Sequence, residues 1–282
     1  MSGVRIEVPA SSANLGAGYD VLAAALALQL TVEVQQTGYF RVATDLHLRR
    51  DRQNLIVRAF ERLLPADDFE FRVDSTIPLS GGMGSSAAGV VAGLLAAEHF
   101  AGGGPDVLAL ATEIEGHPDN VAASLLGGLV ICDGADVRRL EMPPELEAVL
   151  VIPGKPVRTS QAREAVPEMV PIADAVHNMA LVAKLIAGLT SSDFELIAAG
   201  LGDRLHQPHR AHLYPNSAEI AAQAAEFGAL GATISGAGPA VLVWCRRGEH
   251  DRLIPWLEAT TQDWAEVLTV QFDPRGARVS PL

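Results

Sequence analysis

Runs that alternate with period two and runs with helical spacing follow one another along this chain without a strict rhythm. "VRIEVPA" (4–10), "LQLTVEVQQ" (28–36) and "FEFRVDSTI" (69–77) alternate apolar with polar residues, which predicts half-buried strands. "NLIVRAFERLL" (54–64) instead repeats its apolar residues at helical spacing behind Asn54, a residue type that caps helix N-termini. A small-residue helix is expected from about Ser85 to Phe100 and another over Asp106–Glu115, stopped by Gly116. "HPDNVAASLLGG" predicts a helix with Pro118 in its first position and glycines past its end. "LVICDG" (129–134) and "EAVLVIP" (147–153) read as strands. Helices are then expected near 161–166, 172–189, 192–200 and 217–227. Strands at "ATISG" and "AVLVWC", a helix over 249–259 and a strand near 267–272 complete the pattern. Between the first two strands, "SSANLGAGYD" (11–20) is small, polar and Gly-rich, and reads as a loop dense in donors and acceptors. Strands and helices mix without βαβ alternation, so the expected class is α+β. A length of 282 residues accommodates two lobes, and the turn-rich "PGKP" sets the expected division at 1–153 and 154–282.

Composition narrows the classes of function. The chain carries 34 acidic and 21 basic residues, a net charge of −13, which repels nucleic-acid phosphates at long range. The longest apolar run near the start, "VLAAALALQL", is about half of what a bilayer span requires, and no secretory signal pattern precedes it. A soluble, cytoplasmic protein with neither membrane nor nucleic acid as partner is the expectation. Cys132 and Cys245 stand in apolar strand-like runs without metal or redox spacing, so both are expected to be buried, reduced thiols.

The chemistry concentrates in "PLSGGMGSSAAG" (78–89). A helix N-terminus presents unpaired backbone N–H groups and a positive dipole end, both of which attract phosphate. Gly81, Gly82 and Gly84 permit close approach, and the Ser85 and Ser86 hydroxyls can bond a phosphate oxygen or ligate Mg²⁺. The bland reading is a serine-capped glycine loop. No lysine of the Walker type is present, so the missing positive charge falls to a metal ion. Glu113 and Glu115 in "TEIEGHPDN" could each supply it a carboxylate, against the plain reading of solvated glutamates at a helix end. No strand–GxGxxG–helix unit supports hydride chemistry with a dinucleotide.

Three stretches, "VPASSANLGAGYD" (8–20), "PLSGGMGSSAA" (78–88) and "GATISGAGPAVLVW" (231–244), resemble in order and spacing the signature motifs of the GHMP kinases. "EGHPDNVAASLLGG" and "RLHQPHR" are similar to the homoserine kinases within that family. The likeness runs over nearly the whole chain. It implies a two-lobed fold, with an N-terminal lobe like ribosomal protein S5 domain 2 and a ferredoxin-like C-terminal lobe. It also implies ATP-dependent phosphorylation of the L-homoserine hydroxyl in threonine biosynthesis, with Mg²⁺, in a family where homodimers are common.

Carried over by motif, the resemblance assigns ATP to Pro78, Leu79, Ser80, Gly81, Gly82, Met83, Gly84, Ser85, Ser86, Ala87 and Ala88. Asn54 and Leu55 would form part of the adenine pocket, and Glu115 with Ser85 and Ser86 would hold the metal. Asn14, Asp20, His117, Asn120, Arg163 and Arg210 would bind the amino acid, with Arg163, Asp20 and Asn14 closest to the chemistry. Ala17 and Met83 stand where the family often has proline and leucine. The chain is also shorter than many members between Gly116 and His117, which keeps Glu113 beside Glu115 as a metal candidate. Without the family match, Arg163 and Arg210 would read as surface charges and His117 as a capping or core histidine. Another small alcohol as acceptor, or a non-catalytic ATP-binding relative, are the competing readings.

Overall fold

The computed structural model describes residues 3–79 and 81–282, so Ser80 lies outside the described residues. The strands are β1 (Gly3–Ala13), β2 (Leu22–Gln36), β3 (Arg41–Ala43), β4 (Phe69–Ser75), β5 (Leu129–Asp133) and β6 (Asp136–Leu140). They continue with β7 (Leu146–Pro153), β8 (Gly231–Ile234), β9 (Val241–Arg246), β10 (Ala265–Gln271) and β11 (Arg278–Pro281). The helices are α1 (Leu55–Phe60), α2 (Ser85–Ala101), α3 (Val107–Glu115), α4 (Asp119–Leu126) and α5 (Thr159–Glu164). After them come α6 (Ile172–Ser191), α7 (Phe194–Gly200), α8 (Gln207–Arg210), α9 (Pro215–Gln223) and α10 (His250–Thr261).

Two sheets organise the molecule, as an α+β fold requires. A seven-stranded sheet runs β11-β1-β2-β4-β3, with β5 pairing the start of β2 and β6 pairing β5; only β3 and β4 are parallel. The second sheet is four-stranded and antiparallel, in the order β10-β7-β9-β8. Leu146, Ala148 and Leu150 of β7 join one core with Ile6, Leu26, Val90 and Leu94. Val149 and Val151, pointing the other way, pack with Tyr214, Ile220, Leu253 and Leu257. Both faces of β7 are therefore covered, and from Ala148 to Ile152 its sequence is an unbroken apolar run. The expected division after Pro153 falls at the end of β7, whose sheet partners come from the second half of the chain. β11 returns to the first sheet.

Among the boundaries that differ from expectation, α1 stops at Phe60 rather than Leu64. β1 runs on through Ser11, Ser12 and Ala13, read above as loop, because these residues pair with Ala23–Ala25 beyond a bulge at Pro9/Ala10. β2 begins at Leu22 rather than near Leu28, and its first five residues are all buried, so no alternation marks it. Cys132 and Cys245 are buried and unpaired, and burial pushes both thiols up to about 12. Among the described residues one helix, α6, is long and apolar enough to cross a membrane; its Leu185 and Leu189 sit in the main core.

Candidate active site

The chain enters α2 through a loop pressed between two other parts of the fold. Gly82 and Gly84 have φ of +84° and +64°, a left-handed region that glycine alone adopts freely. Gly84 is the N-cap and offers no side chain, so first-turn N–H groups of a 17-residue helix face outward. A Cβ on Gly84 would lie 2.0 Å from Ser11 Oγ, and one on Gly82 would lie 2.4 Å from the Ser235 carbonyl. Ser235 Oγ donates to Gly82 O (2.8 Å), the Ala240 N–H to Gly81 O (3.2 Å) and the Ser11 N–H to Met83 O (3.1 Å). The Met83 side chain is buried, and Ala87 and Ala88 bury the inner face of the first turn. The three sequence motifs therefore meet at this loop.

Two cavities adjoin it. The larger, about 630 Å³, is lined by Gly82–Ala87 and Glu115 together with Asn14, Tyr19, Asp20, His117, Asn120, Arg163 and Arg210. The smaller, about 360 Å³, is lined by Leu46, Leu48, Asn54, Leu55 and Leu79. Ser85 and Ser86 line both, so the cavities meet at the helix start. Half-buried Pro78 leads into the loop. The Asn54 amide is committed to the fold: its Oδ1 caps α1 by accepting from the Ile56 N–H (2.9 Å), and its Nδ2 donates to Arg49 O (2.7 Å).

Ser86 Oγ donates to Glu115 Oε1 at 2.6 Å, which joins the first turn of α2 to the end of α3 inside the larger cavity. Glu113 pairs instead with Arg62 (3.0 Å) and is mostly exposed, outside the cavity wall. Among the described residues no group of three or more His, Cys, Asp or Glu gathers to chelate a metal. One carboxylate with serine hydroxyls is a donor set suited to Mg²⁺, which takes few protein ligands and completes its shell with phosphates.

Asn14 and Asp20 both hold positive φ, +74° and +55°. Asn14 Nδ2 donates to Gly236 O (2.7 Å) and its Oδ1 accepts from the Asp20 N–H (3.0 Å), which ties the first motif to the third. Arg163 forks onto Asp20 with bonds of 2.9 and 3.0 Å. Arg210 is 1% exposed, far from a surface charge. Its Nε donates to Ala162 O (2.8 Å), Nη1 to His206 Nδ1 (3.3 Å) and Gly236 O (3.4 Å), and Nη2 to Tyr19 Oη (3.3 Å). His206 Nε2 donates to Gly16 O (2.7 Å), and burial holds this imidazole below its ordinary pKa. Neutral, it keeps Nδ1 free to accept from Arg210.

His117 precedes α4, and Pro118 is the N-cap rather than the first helical residue. Asn120 Oδ1 accepts from Ser11 Oγ (2.9 Å), while His117 Nδ1 bonds the buried Asp119 carboxylate at 2.6 Å. That hydrogen bond raises the imidazole pKa against the opposing effect of burial. A raised folded-state pKa stabilises the fold fully below the unfolded value near 6.5, and this contribution fades as pH rises through the folded value. Asp119→Asn is expected to lower the His117 midpoint and flatten stability against pH above about 6.5. An NMR titration of the ring carbons checks it, and an unmoved midpoint would contradict the assignment.

Sequence reasoning missed Tyr19 and Asp119, although "GAGYD" and "HPDN" display both. It also missed the walls formed by residues 156–160 and Gly236–Gly238.

Two family descriptions match this chain: GHMP kinases N terminal domain over residues 54–128 and GHMP kinases C terminal over residues 160–254. A homoserine kinase of Synechococcus sp. (strain CC9605) is 40% identical over 294 residues, covering 95% of this chain and 93% of that protein. Another homoserine kinase, of Moorella thermoacetica, is 38% identical over 270 residues, covering 90% and 91%. Among solved structures, the homoserine kinase of Cytophaga hutchinsonii matches with a TM-score of 0.87 and 28% identity, over 99% of this chain and 97% of that one.

Proposed function

The chain belongs to the GHMP kinase family, and we propose that it transfers the γ-phosphoryl group of ATP to the hydroxyl of L-homoserine. The product would be O-phospho-L-homoserine, an intermediate of threonine biosynthesis. One observation carries this reading: a single cavity is lined both by an open helix N-terminus and by the Asp20–Arg163 pair with Arg210. An amino acid that carries an alcohol needs that second set of groups, an acceptor for its ammonium and guanidinium donors for its carboxylate. The near full-length likeness to homoserine kinases supports the choice of acceptor.

On this reading the nucleobase enters the smaller cavity beside Asn54 and Leu55, and the phosphates cross Ser85 and Ser86 onto the loop amides of Gly82 and Gly84. Ser85, Ser86 and Glu115 would hold Mg²⁺; when bound there it neutralises phosphate charge in place of a Walker lysine. Asn14 fixes the Asp20 backbone, so that the Asp20 carboxylate faces the incoming ammonium. Once that ammonium pairs with Asp20, Arg163 Nη2 is freed to stabilise the transferred phosphoryl group while Nη1 stays on the Tyr19 hydroxyl, and Arg210 keeps the acceptor's carboxylate. His117 and Asn120 close the remaining side. Positioning and charge neutralisation carry most of phosphoryl transfer, so no strong general base is needed. The hydroxyl loses its proton late, to an oxygen of the transferred phosphoryl group or to solvent.

ADP release by the purified protein with Mg·ATP and L-homoserine, D-homoserine, L-serine or mevalonate tests the proposal. Turnover on L-homoserine well above the other three is expected. Preference for another alcohol, or ATP binding without turnover, would overturn it.

A further inference from the structure

We propose that Tyr19 is a hydrogen-bond donor to the acceptor's carboxylate, placed between Arg163 and Arg210; this rests on the amino-acid reading of the larger cavity. The ring is held by two neighbours that also bond each other. It stacks on His206 with centroids 5.1 Å apart, and the Arg210 guanidinium lies 5.0 Å from its centroid. Its hydroxyl accepts from Arg163 Nη1 at 3.4 Å and from Arg210 Nη2 at 3.3 Å. A phenol has one proton and two lone pairs, and a guanidinium only donates. Both lone pairs are therefore taken by groups that cannot accept the proton, which is left to point into the cavity that all three residues line.

Arg210 leads to the same place. Four of its five N–H groups go to Ala162 O, His206 Nδ1, Gly236 O and Tyr19 Oη, and one remains. One N–H from Arg210 and one O–H from Tyr19 form the paired donor set that a carboxylate accepts. The neighbouring residue, Asp20, decides which anion fits. A phosphoryl group at this spot would be repelled by the Asp20 carboxylate, whereas an α-amino acid brings its own ammonium on the carbon next to its carboxylate. Tyr19 thus reads the α-carboxylate, and with Asp20 it reads the zwitterion.

Tyr19→Phe removes the hydroxyl and keeps the ring against His206 and Arg210. Calorimetric dissociation constants would be taken for L-2-aminobutyrate and for its primary amide, on wild type and variant. Neither probe carries a hydroxyl, so the measurement does not depend on turnover. The variant is expected to bind the carboxylate probe roughly tenfold or more weakly, the worth of one hydrogen bond to a charged group, and the amide nearly unchanged. In turnover, the KM for L-homoserine should rise while the KM for ATP and kcat stay within about twofold. Equal weakening of both probes, an unchanged constant for the carboxylate, or no measurable binding of it to wild type would each overturn the inference. Absence of L-homoserine turnover in wild type would instead remove the proposed activity, and the binding comparison would still judge Tyr19.

Discussion

Arg210→Ala is expected to raise the KM for L-homoserine by roughly thirtyfold to a few thousandfold while the KM for ATP moves by no more than about threefold. The range corresponds to the roughly 2–5 kcal/mol that truncating one member of a buried, hydrogen-bonded charge pair costs, at about 1.4 kcal/mol per tenfold. The size of the effect follows from burial. This guanidinium is 1% exposed, and the partners it finds within the protein are two carbonyls, an imidazole and a phenol, with no carboxylate among them. A buried cation compensated only by neutral acceptors is costly, and an anionic ligand brings the missing charge. Truncation also strands Ala162 O and His206 Nδ1, so the melting temperature must be followed alongside. Arg210→Lys separates the two contributions: it keeps the charge, loses the planar fork, and should fall between wild type and alanine in KM. A KM for L-homoserine within about threefold of wild type in the alanine variant would remove Arg210 from the acceptor site.

The same arginine shows where sequence reading stops. "QPHR" gives no sign that Arg210 is enclosed, because its burial comes from residues far off in sequence: Ala162, Gly236 and Tyr19. Features fixed by local chemistry were legible. The start of α2 at Ser85 follows from the glycines before it, and the Asp106 and Asn54 caps sit where the residue type demands them. Features fixed by pairing were not. The first part of β2 shows no alternation because both faces are covered, and β3, β6 and β11 are three to five residues long, too short for a period to register. Telling the surroundings of Glu113 from those of Glu115 needed the fold for the same reason. Two residues apart in α3, they point to different surroundings, one to Arg62 and one to Ser86.

Gly82→Ala should lower kcat/KM for ATP by roughly thirtyfold to a few thousandfold, and Gly81→Ala beside it by no more than about threefold. A left-handed backbone costs an L-residue about 1–2 kcal/mol, and overpacking adds typically 1–3, which together give that range at about 1.4 kcal/mol per tenfold. At Gly82 the φ is +84°, and the new Cβ would lie 2.4 Å from Ser235 O and 3.0 Å from Gly238 O. Both obstacles are backbone of the turn that also holds Asn14 and Arg210 through Gly236 O, so the loop must move away from the turn. That movement shifts the N–H groups of α2 relative to the acceptor end, and so the loss falls on ATP use as well as on stability. At Gly81 the Cβ would meet Met83 Cε at 2.9 Å, the free end of a flexible side chain, and no left-handed φ is demanded. Steady-state kinetics in ATP, with a calorimetric ATP dissociation constant for each variant, decides the matter. Equal losses at the two glycines would mean that loop composition matters and the contact with the 235–238 turn does not. A loss confined to Gly82, with ATP binding and turnover falling together, would place the phosphate site on the backbone geometry of that one residue.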